Sequence, residues 1–216
     1  MMNKQLTELV FILDRSGSMS GLESDTVGGF NSLIEEQKEK EGKALVSLVL
    51  FNQYSEVLLD RRDIAETEKL QAKDYRVGGC TALIDVLGGA IHHIGNVHRY
   101  IREEDVPART LFVIMTDGLE NASHKYSSAK VKKMIEEKKE QGWEFLFLGA
   151  NIDAVETAAE YGIDAGRSVR YHSDTIGTAA NFGALKKAIT DFRVSGEIED
   201  DWCASIAADY EERKAK

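Results

Sequence analysis

Two short runs of apolar residues in this chain each stop at an aspartate. Residues 9–13 lead directly into Asp14, and residues 111–115 lead, one threonine later, into Asp117. Such unbroken runs are typical of strands that are buried on both faces of a sheet. They are also far shorter than the roughly 20 apolar residues that span a bilayer. The sequence therefore predicts two central strands whose carboxyl ends carry acidic side chains.

The rest of the chain alternates between helical and strand-like patterns. Residues 27–37 place apolar side chains at helical spacing, whereas residues 45–51 and 57–59 are strand-like runs joined by a short polar link. That link is too short for a crossover helix, so these two strands must pair antiparallel. The remaining predicted elements are helix 81–101, helix 127–140, strand 143–148, helix 153–161, a short strand near 168–171 and helix 175–192.

This alternation predicts an α/β fold. Right-handed crossovers give a mostly parallel central sheet with helices on both faces, and the hairpin adds one antiparallel edge strand. Ligand sites in such sheets lie at the carboxyl ends of the strands. We assign residues 1–195 to this domain, and residues 196–216 to an acidic step and a short helix that packs on it. One side of that helix carries Trp202, Ile206 and Tyr210.

Composition narrows the range of partners. The 216-residue chain has 27 Lys and Arg against 37 Asp and Glu, which gives a formal net charge of -10. Such a charge disfavours a phosphate backbone and an anionic membrane, so we expect neither nucleic acid nor membrane as a partner. The apolar run at residues 9–13 is too short and too acidic at its edge for a signal peptide. Because Cys80 and Cys203 are the only cysteines and lie far apart in sequence, we expect reduced thiols and a cytoplasmic protein.

Oxygen-bearing side chains gather at the end of the first strand. Asp14, Ser16 and Ser18 stand at alternate positions, so a tight turn aims one carboxylate and two hydroxyls at one point. Hard oxygen ligands of this kind suit Mg²⁺, Mn²⁺ or Ca²⁺ rather than zinc. Three ligands are too few for a six-coordinate ion, but Asp117 and Thr81 occupy equivalent places after a strand and at the start of a helix. Ordinary turn and helix-cap chemistry is the alternative interpretation of the first segment.

These five residues, in this order, resemble the metal-ion-dependent adhesion site of the von Willebrand factor A (VWA) family. That site is written DxSxS, then a Thr, then an Asp before Gly, and here it stands as DRSGS at residues 14–18, Thr81 in GGCTAL and Asp117 in TDG. The resemblance covers the core from about residue 6 to about residue 192, and it implies the Rossmann-like fold of that family. Three further phrases resemble small stand-alone bacterial and phage members: GGFNSLIEEQ, TDGLENAS and FLGANIDA.

The resemblance also implies a role for each of the five residues. The hydroxyls of Ser16 and Ser18 would bind the ion directly. Asp14 and Asp117 would act directly or through water, and Thr81 would join when the site is engaged. An Asp or Glu of a partner protein would complete the octahedron around Mg²⁺, with Mn²⁺ or Ca²⁺ as alternatives. Since the ion gives an acidic protein a local attractive charge for an acidic partner, we expect a metal-dependent protein-binding module.

A scaffold and two kinds of enzyme are the alternatives. In the scaffold, the ion is structural and the partner contacts lie on the C-terminal helix. A phosphotransferase that used Asp14 as its nucleophile would need a second carboxylate two residues on, where the chain has Ser16. A hydrolase that used Ser16 would need a nearby base. Three candidate bases lie in the middle and at the far end of the helix predicted at residues 81–101: His92, His93 and His98. They should point away from Ser16, so we expect no enzymatic activity.

The helix predicted at residues 81–101 carries two further features. Asp85 lies one helical turn after Thr81, on the same face, and could accept a hydrogen bond that orients a metal ligand. Gly88 and Gly89 cost the helix roughly 1 kcal/mol each, which predicts that its backbone packs closely on the sheet.

Polar residues follow two of the other predicted strands. Glu120 and Asn121 share the rim with Asp117 and could contact a partner, although exposed loop residues are often polar without such a role. Asn151 and Asp153 follow the strand at residues 143–148, and we expect them to be turn and helix-cap residues.

Overall fold

A six-stranded sheet forms the centre of the fold, and helices cover both of its faces. The computed structural model describes residues 3–214. The strands are β1 (Asn3–Asp14), β2 (Lys43–Phe51), β3 (Ser55–Asp63), β4 (Pro107–Thr116), β5 (Trp143–Gly149) and β6 (Ser168–Arg170). The helices are α1 (Glu23–Lys38), α2 (Leu83–Tyr100), α3 (Ser128–Lys139), α4 (Ala154–Glu160), α5 (Thr175–Ser195) and α6 (Ala204–Lys214).

The strand order is β3-β2-β1-β4-β5-β6. β1 pairs parallel with β2 and β4, and β5 pairs parallel with β4 and β6. β3 pairs antiparallel with β2 at one edge of the sheet, as the short link between them requires. The predicted fold is confirmed: a mostly parallel sheet with one antiparallel edge strand and helices on both faces.

The unbroken apolar run of β1 serves two separate cores. Leu9, Phe11 and Leu13 belong to the core that the sheet shares with α1, α5 and α6. Val10 and Ile12 belong to the core on the opposite face, which includes α2, α3 and α4. Because successive side chains of a strand point to opposite faces, a central strand needs an apolar residue at every position. The run therefore fixes β1 in the middle of the sheet, where its carboxyl end is held rigidly.

Helix α2 begins two residues later than predicted. Its first residue is Leu83, because the backbone of Thr81 is engaged elsewhere. The Thr81 amide donates to Asn121 Oδ1 at 3.0 Å. The Thr81 carbonyl accepts the amides of Asn121 and Ala122 at 3.0 and 3.1 Å, so it is not committed to the first turn of the helix. Thr81 thus lies in a loop just before α2, tied to the loop that follows Asp117.

The prediction that the two glycines of α2 let its backbone pack on the sheet was wrong. A Cβ atom on Gly88 would lie 2.5 Å from ring atoms of Tyr126, whereas one on Gly89 would meet nothing within 4 Å. Gly88 therefore lets an aromatic ring from the loop before α3 lie directly against the helix backbone. Gly89 has open space beside it, and the structure gives no packing reason for it.

The C-terminal segment packs on the rest of the chain. Ile198, Trp202 and Ile206 are buried in the same core as α1 and α5. The Trp202 indole nitrogen donates to the carbonyl of Gly166 at 2.9 Å. The division at residue 195 stays a prediction, and residues 1, 2, 215 and 216 of the two predicted segments lie outside the described residues. Within residues 3–214, no helix is both long and apolar enough to cross a membrane.

Candidate metal centre

The five predicted site residues meet at the carboxyl edge of the sheet, between β1 and β4. Asp14 is the last residue of β1, and Asp117 directly follows β4. The helix after β1 covers one face of the sheet and the helix after β4 covers the other. The two connections leave β1 and β4 on opposite faces, and the strand ends at such a point are the usual place for a ligand site in these sheets.

The Asp14 carboxylate is fixed by three hydrogen bonds. Its Oδ1 accepts the amide of Ser16 at 2.7 Å. Its Oδ2 accepts the Thr116 hydroxyl at 2.7 Å and the Asp117 amide at 3.3 Å. The residue is 1% exposed, so its charge is held away from bulk water in a defined orientation.

Ser16 directly precedes a single turn of 3-10 helix at Gly17–Met19, and Ser18 lies within that turn. Their hydroxyl oxygens are 3.1 Å apart. The amide of Gly17 donates to the carbonyl of Gly79 at 3.0 Å, which ties this turn to the loop that carries Thr81. Ser16 is buried and Ser18 is exposed, so the pair reaches from the protein interior to the surface.

Gly118 brings the remaining hydroxyl into the same place. A Cβ atom on Gly118 would lie 3.3 Å from Ser18 Oγ and 3.5 Å from Thr81 Oγ1. Those two hydroxyls therefore converge beside the residue that follows Asp117. An alanine at this position would make a tight contact with Ser18 Oγ and an ordinary contact with Thr81 Oγ1.

Asp117 is held by residues that follow β5 and β6. Asn151 Nδ2 donates to one carboxylate oxygen, and Ser173 Oγ donates to the other. Burial raises the pKa of Asp117 above its ordinary value, the two hydrogen bonds oppose that shift, and the charge of Asp14 adds to it. Two buried carboxylates thus lie close together, and a bound cation would reduce the electrostatic repulsion between them.

The sequence profile of the von Willebrand factor type A domain matches residues 8–190. This chain belongs to the VWA family. A comparison with curated proteins finds no match. Solved structures do match, and their likeness shows the fold.

Three solved structures illustrate that likeness. The vWF domain of the type V pili tip protein Mfa5 from Porphyromonas gingivalis is 11% identical, with 91% of this chain and 99% of that chain covered and a TM-score of 0.62. A von Willebrand factor type A protein from Catenulispora acidiphila is 15% identical, with 87% and 43% covered and a TM-score of 0.57. Proximal thread matrix protein 1 of the mussel byssus, with a zinc occupied MIDAS motif, is 13% identical, with 87% and 46% covered and a TM-score of 0.56. This chain spans less than half the length of the last two.

The donor set of this VWA domain fits a hard divalent cation. It offers two carboxylates and three hydroxyls, all oxygen, which suit Mg²⁺ and similar ions. Among the described residues, no group of three or more His, Cys, Asp or Glu side chains is placed to hold a metal. Two of the three hydroxyls, those of Ser18 and Thr81, lie beside Gly118.

Asp85 and Glu120 both bind main-chain amides. The Asp85 carboxylate accepts the amides of His124, Lys125 and Tyr126 at 2.8–3.0 Å, so it orients a loop and not a metal ligand. The Glu120 carboxylate accepts the amide of Ile84 at 2.9 Å and two amides of its own turn. Both acids clamp the start of α2 to the segment that follows Asp117.

Sequence reasoning missed three contacts of the two site aspartates. The sequence pattern gives no role to Thr116 or Ser173, and it predicts Asn151 only as a turn residue. Asn151 does occupy a turn, with a φ of 55°, but its side chain also holds Asp117. Asp153 caps α4, as predicted, by accepting the amide of Glu156 at 3.1 Å. One sequence feature could have identified these supporting residues: each lies at or just beyond the carboxyl end of a strand. They are Thr116, Asn151 and Ser173.

The histidines of α2 make contacts away from the site. His98 lies 2.5 Å from the Glu8 carboxylate, and His93 lies 2.8 Å from Asp60. Glu8 precedes Asp14 by six residues in β1, which places His98 roughly 20 Å along the strand from the metal centre. His92 is exposed. These contacts leave a hydrolase based on Ser16 without structural support.

Proposed function

We propose that this VWA domain is a metal-dependent protein-binding module that recognises an acidic group of a partner. Asp14, Ser16, Ser18, Thr81 and Asp117 would hold an ion of the Mg²⁺ type. The observation that carries the proposal is the convergence of the Ser18 and Thr81 hydroxyls beside Asp117. Domains of this family generally bind protein partners.

The charges of the site favour an anionic group on the partner. Both carboxylates are anchored from behind by protein donors, while the exposed serine lies on the solvent side. A bound divalent ion would supply positive charge and an open coordination position at the surface. An Asp or Glu of the partner then has a local attraction that overcomes the net charge of -10. We propose Mg²⁺, with Mn²⁺ or Ca²⁺ as alternatives, because the donors are hard oxygens.

We further propose that the protein is a cytoplasmic VWA domain of the bacterial or phage type, without enzymatic activity. Cys80 and Cys203 are both free thiols, which supports a reducing compartment. In the scaffold alternative the partner contacts lie on the C-terminal helix; Trp202 and Ile206 are buried, so those two residues are not available for such contacts.

The test is metal-dependent capture from an extract of the source cell. The immobilised wild type should retain partners in Mg²⁺ and release them in EDTA, and the Asp117→Asn variant should retain none. Amidation of the extract's carboxyl groups beforehand should abolish capture. Partners that persist in EDTA and on Asp117→Asn would contradict the proposal and favour a scaffold.

A further inference from the structure

A groove runs along the free edge of the sheet at β6, two strands away from β4. It has a volume of about 650 Å³ and lies between α4 and α6, with β6 at its base. Its apolar lining includes Val155, which is 42% exposed, together with Val169 and Ala207. Charges of both signs, among them Glu156 and Lys214, also line it. Such a mixed surface suits a peptide better than a polyanion.

A polar pocket adjoins this groove on the side that faces the residues holding Asp117. The pocket has a volume of about 300 Å³ and is lined by Asn151 and Ser173, the two residues that hold the Asp117 carboxylate. Asp153, Arg170 and Tyr210 line both the pocket and the groove. One surface therefore extends from the two residues that hold Asp117, across Arg170 and Tyr210, into the groove.

The edge of β6 faces this groove with main-chain groups. The amide of Tyr171 donates to the carbonyl of Gly149 in β5 at 3.1 Å. Alternate residues of a parallel strand direct their main-chain groups to the same neighbour, so those of Arg170 point to the opposite side, away from β5. β6 is the last strand in the sheet order, and all three of its residues line the groove. An open strand edge inside a groove is a template for another extended chain.

We propose that the groove binds an extended segment of the same partner whose acidic residue binds the metal. This inference rests on the proposed function and adds the form of the ligand. The acidic side chain lies at the metal centre, the following residues cross the polar pocket, and an apolar side chain a few positions away enters the groove. Main-chain hydrogen bonds to the edge of β6 hold the segment in an extended conformation.

Two adjacent alanines of α6 provide a matched pair of variants. Ala207 lines the groove, and Ala208 is exposed on the same helix outside it. Ala207→Arg fills the groove with a long charged side chain, whereas Ala208→Arg makes the same chemical change elsewhere. Neither residue contacts the metal centre, so both variants should bind Mg²⁺ with the affinity of the wild type.

The probe is a set of random dodecapeptides, displayed and selected on the wild type in Mg²⁺ and then synthesised. We expect selected peptides to contain an Asp or Glu with an apolar residue a few positions away. Their affinity should fall at least about tenfold for Ala207→Arg and remain unchanged for Ala208→Arg. It should also be lost in EDTA.

Other outcomes would overturn the inference in distinguishable ways. If the peptides require Mg²⁺ but bind both arginine variants equally, the metal site binds them and the groove does not. Peptides that resist EDTA but are lost in Ala207→Arg would show a groove independent of the metal, which contradicts the link between the two. If sedimentation shows that the wild type is a dimer and the Ala207→Arg variant a monomer, the groove binds a second copy of the chain and not a peptide of the partner. Failure to select any peptide would also count against it.

Discussion

Asp14 and Asp117 bring two buried carboxylates to the ends of adjacent strands. Each residue is 1% exposed. Their hydrogen bonds come from neutral donors: amides, hydroxyls and the Asn151 side chain. Buried charge without an opposite charge disfavours folding unless something compensates it. The raised pKa of Asp117 has this origin, since its burial is the largest cause and the charge of Asp14 adds to it.

Asp117→Asn should separate the stability of the domain from its metal binding. An acid whose pKa is raised in the folded state costs folding free energy once the pH exceeds its unfolded pKa. Asparagine carries no charge, and it can still accept from Asn151 and donate to Ser173. In EDTA at pH 7, we therefore expect the variant to melt no lower than the wild type.

Addition of Mg²⁺ completes that comparison. An ion at about 100 times its dissociation constant stabilises the state that binds it by about 2.7 kcal/mol. The wild-type melting temperature should rise in Mg²⁺, and that of Asp117→Asn should not. A variant that melts below the wild type in EDTA, or that responds equally to Mg²⁺, would contradict this account.

At the scale of elements, the site depends on a clamp between α2 and the loop after β4. Asp85 supplies part of that clamp, and its side chain is 11% exposed. Burial acts to raise the pKa of Asp85, but the amides of His124, Tyr126 and Lys125 together outweigh it and hold the pKa below its ordinary value. The ionised carboxylate therefore stabilises the folded state.

Asp85→Asn should lower stability in a pH-dependent way. Loss of the hydrogen bonds to a charged acceptor should cost about 2 kcal/mol at pH 7. The folded pKa lies below the ordinary 3.8. The wild type should therefore exceed the variant in free energy of unfolding by the full amount well above that pH, and this difference should disappear as the pH falls through the folded pKa. Urea denaturation at pH 7 and at progressively lower pH measures the difference. An advantage that persists undiminished below the folded pKa would rule out this role of the carboxylate.

The elements of the fold could be predicted because their patterns depend on burial. The runs that became β1 and β4 are apolar throughout because each faces two cores, and the link between β2 and β3 permits only a hairpin. The start of α2 could not be predicted, since it depends on Asn121, forty residues away, engaging Thr81. Contacts of this kind, like that of Ser173 with Asp117, arise only when distant strand ends meet. The five candidate ligands could be named from the motif, but their supporting residues could not.

For the whole molecule, the C-terminal segment completes the core of the domain. Ile198, Trp202 and Ile206 are buried against α5 and its surroundings, and Tyr210 stacks on His172 with ring centroids 4.5 Å apart. His172 directly precedes Ser173, which holds Asp117. The segment therefore supports both the fold and the strand end next to the metal centre.

Truncation after residue 195 should destabilise the protein. Removal of a single buried Trp usually costs about 3–5 kcal/mol, and the truncation removes further buried side chains. We expect a loss of at least about 3 kcal/mol in the free energy of unfolding, measured by urea denaturation. A matched control that removes only residues from 212 onwards should lose much less. A shortened chain ending at 195 with wild-type stability would show that residues 1–195 form an independent domain.

The central claim is that Asp14, Ser16, Ser18, Thr81 and Asp117 hold a divalent ion. Calorimetric titration of Mg²⁺ and Mn²⁺ into metal-stripped protein tests it most directly, with Asp14→Ala and Asp117→Ala titrated in parallel and circular dichroism as the check that each is folded. We predict saturable binding at one site in the wild type and none in either variant. A folded wild type that binds neither ion, or variants that bind as tightly as the wild type, would contradict the account.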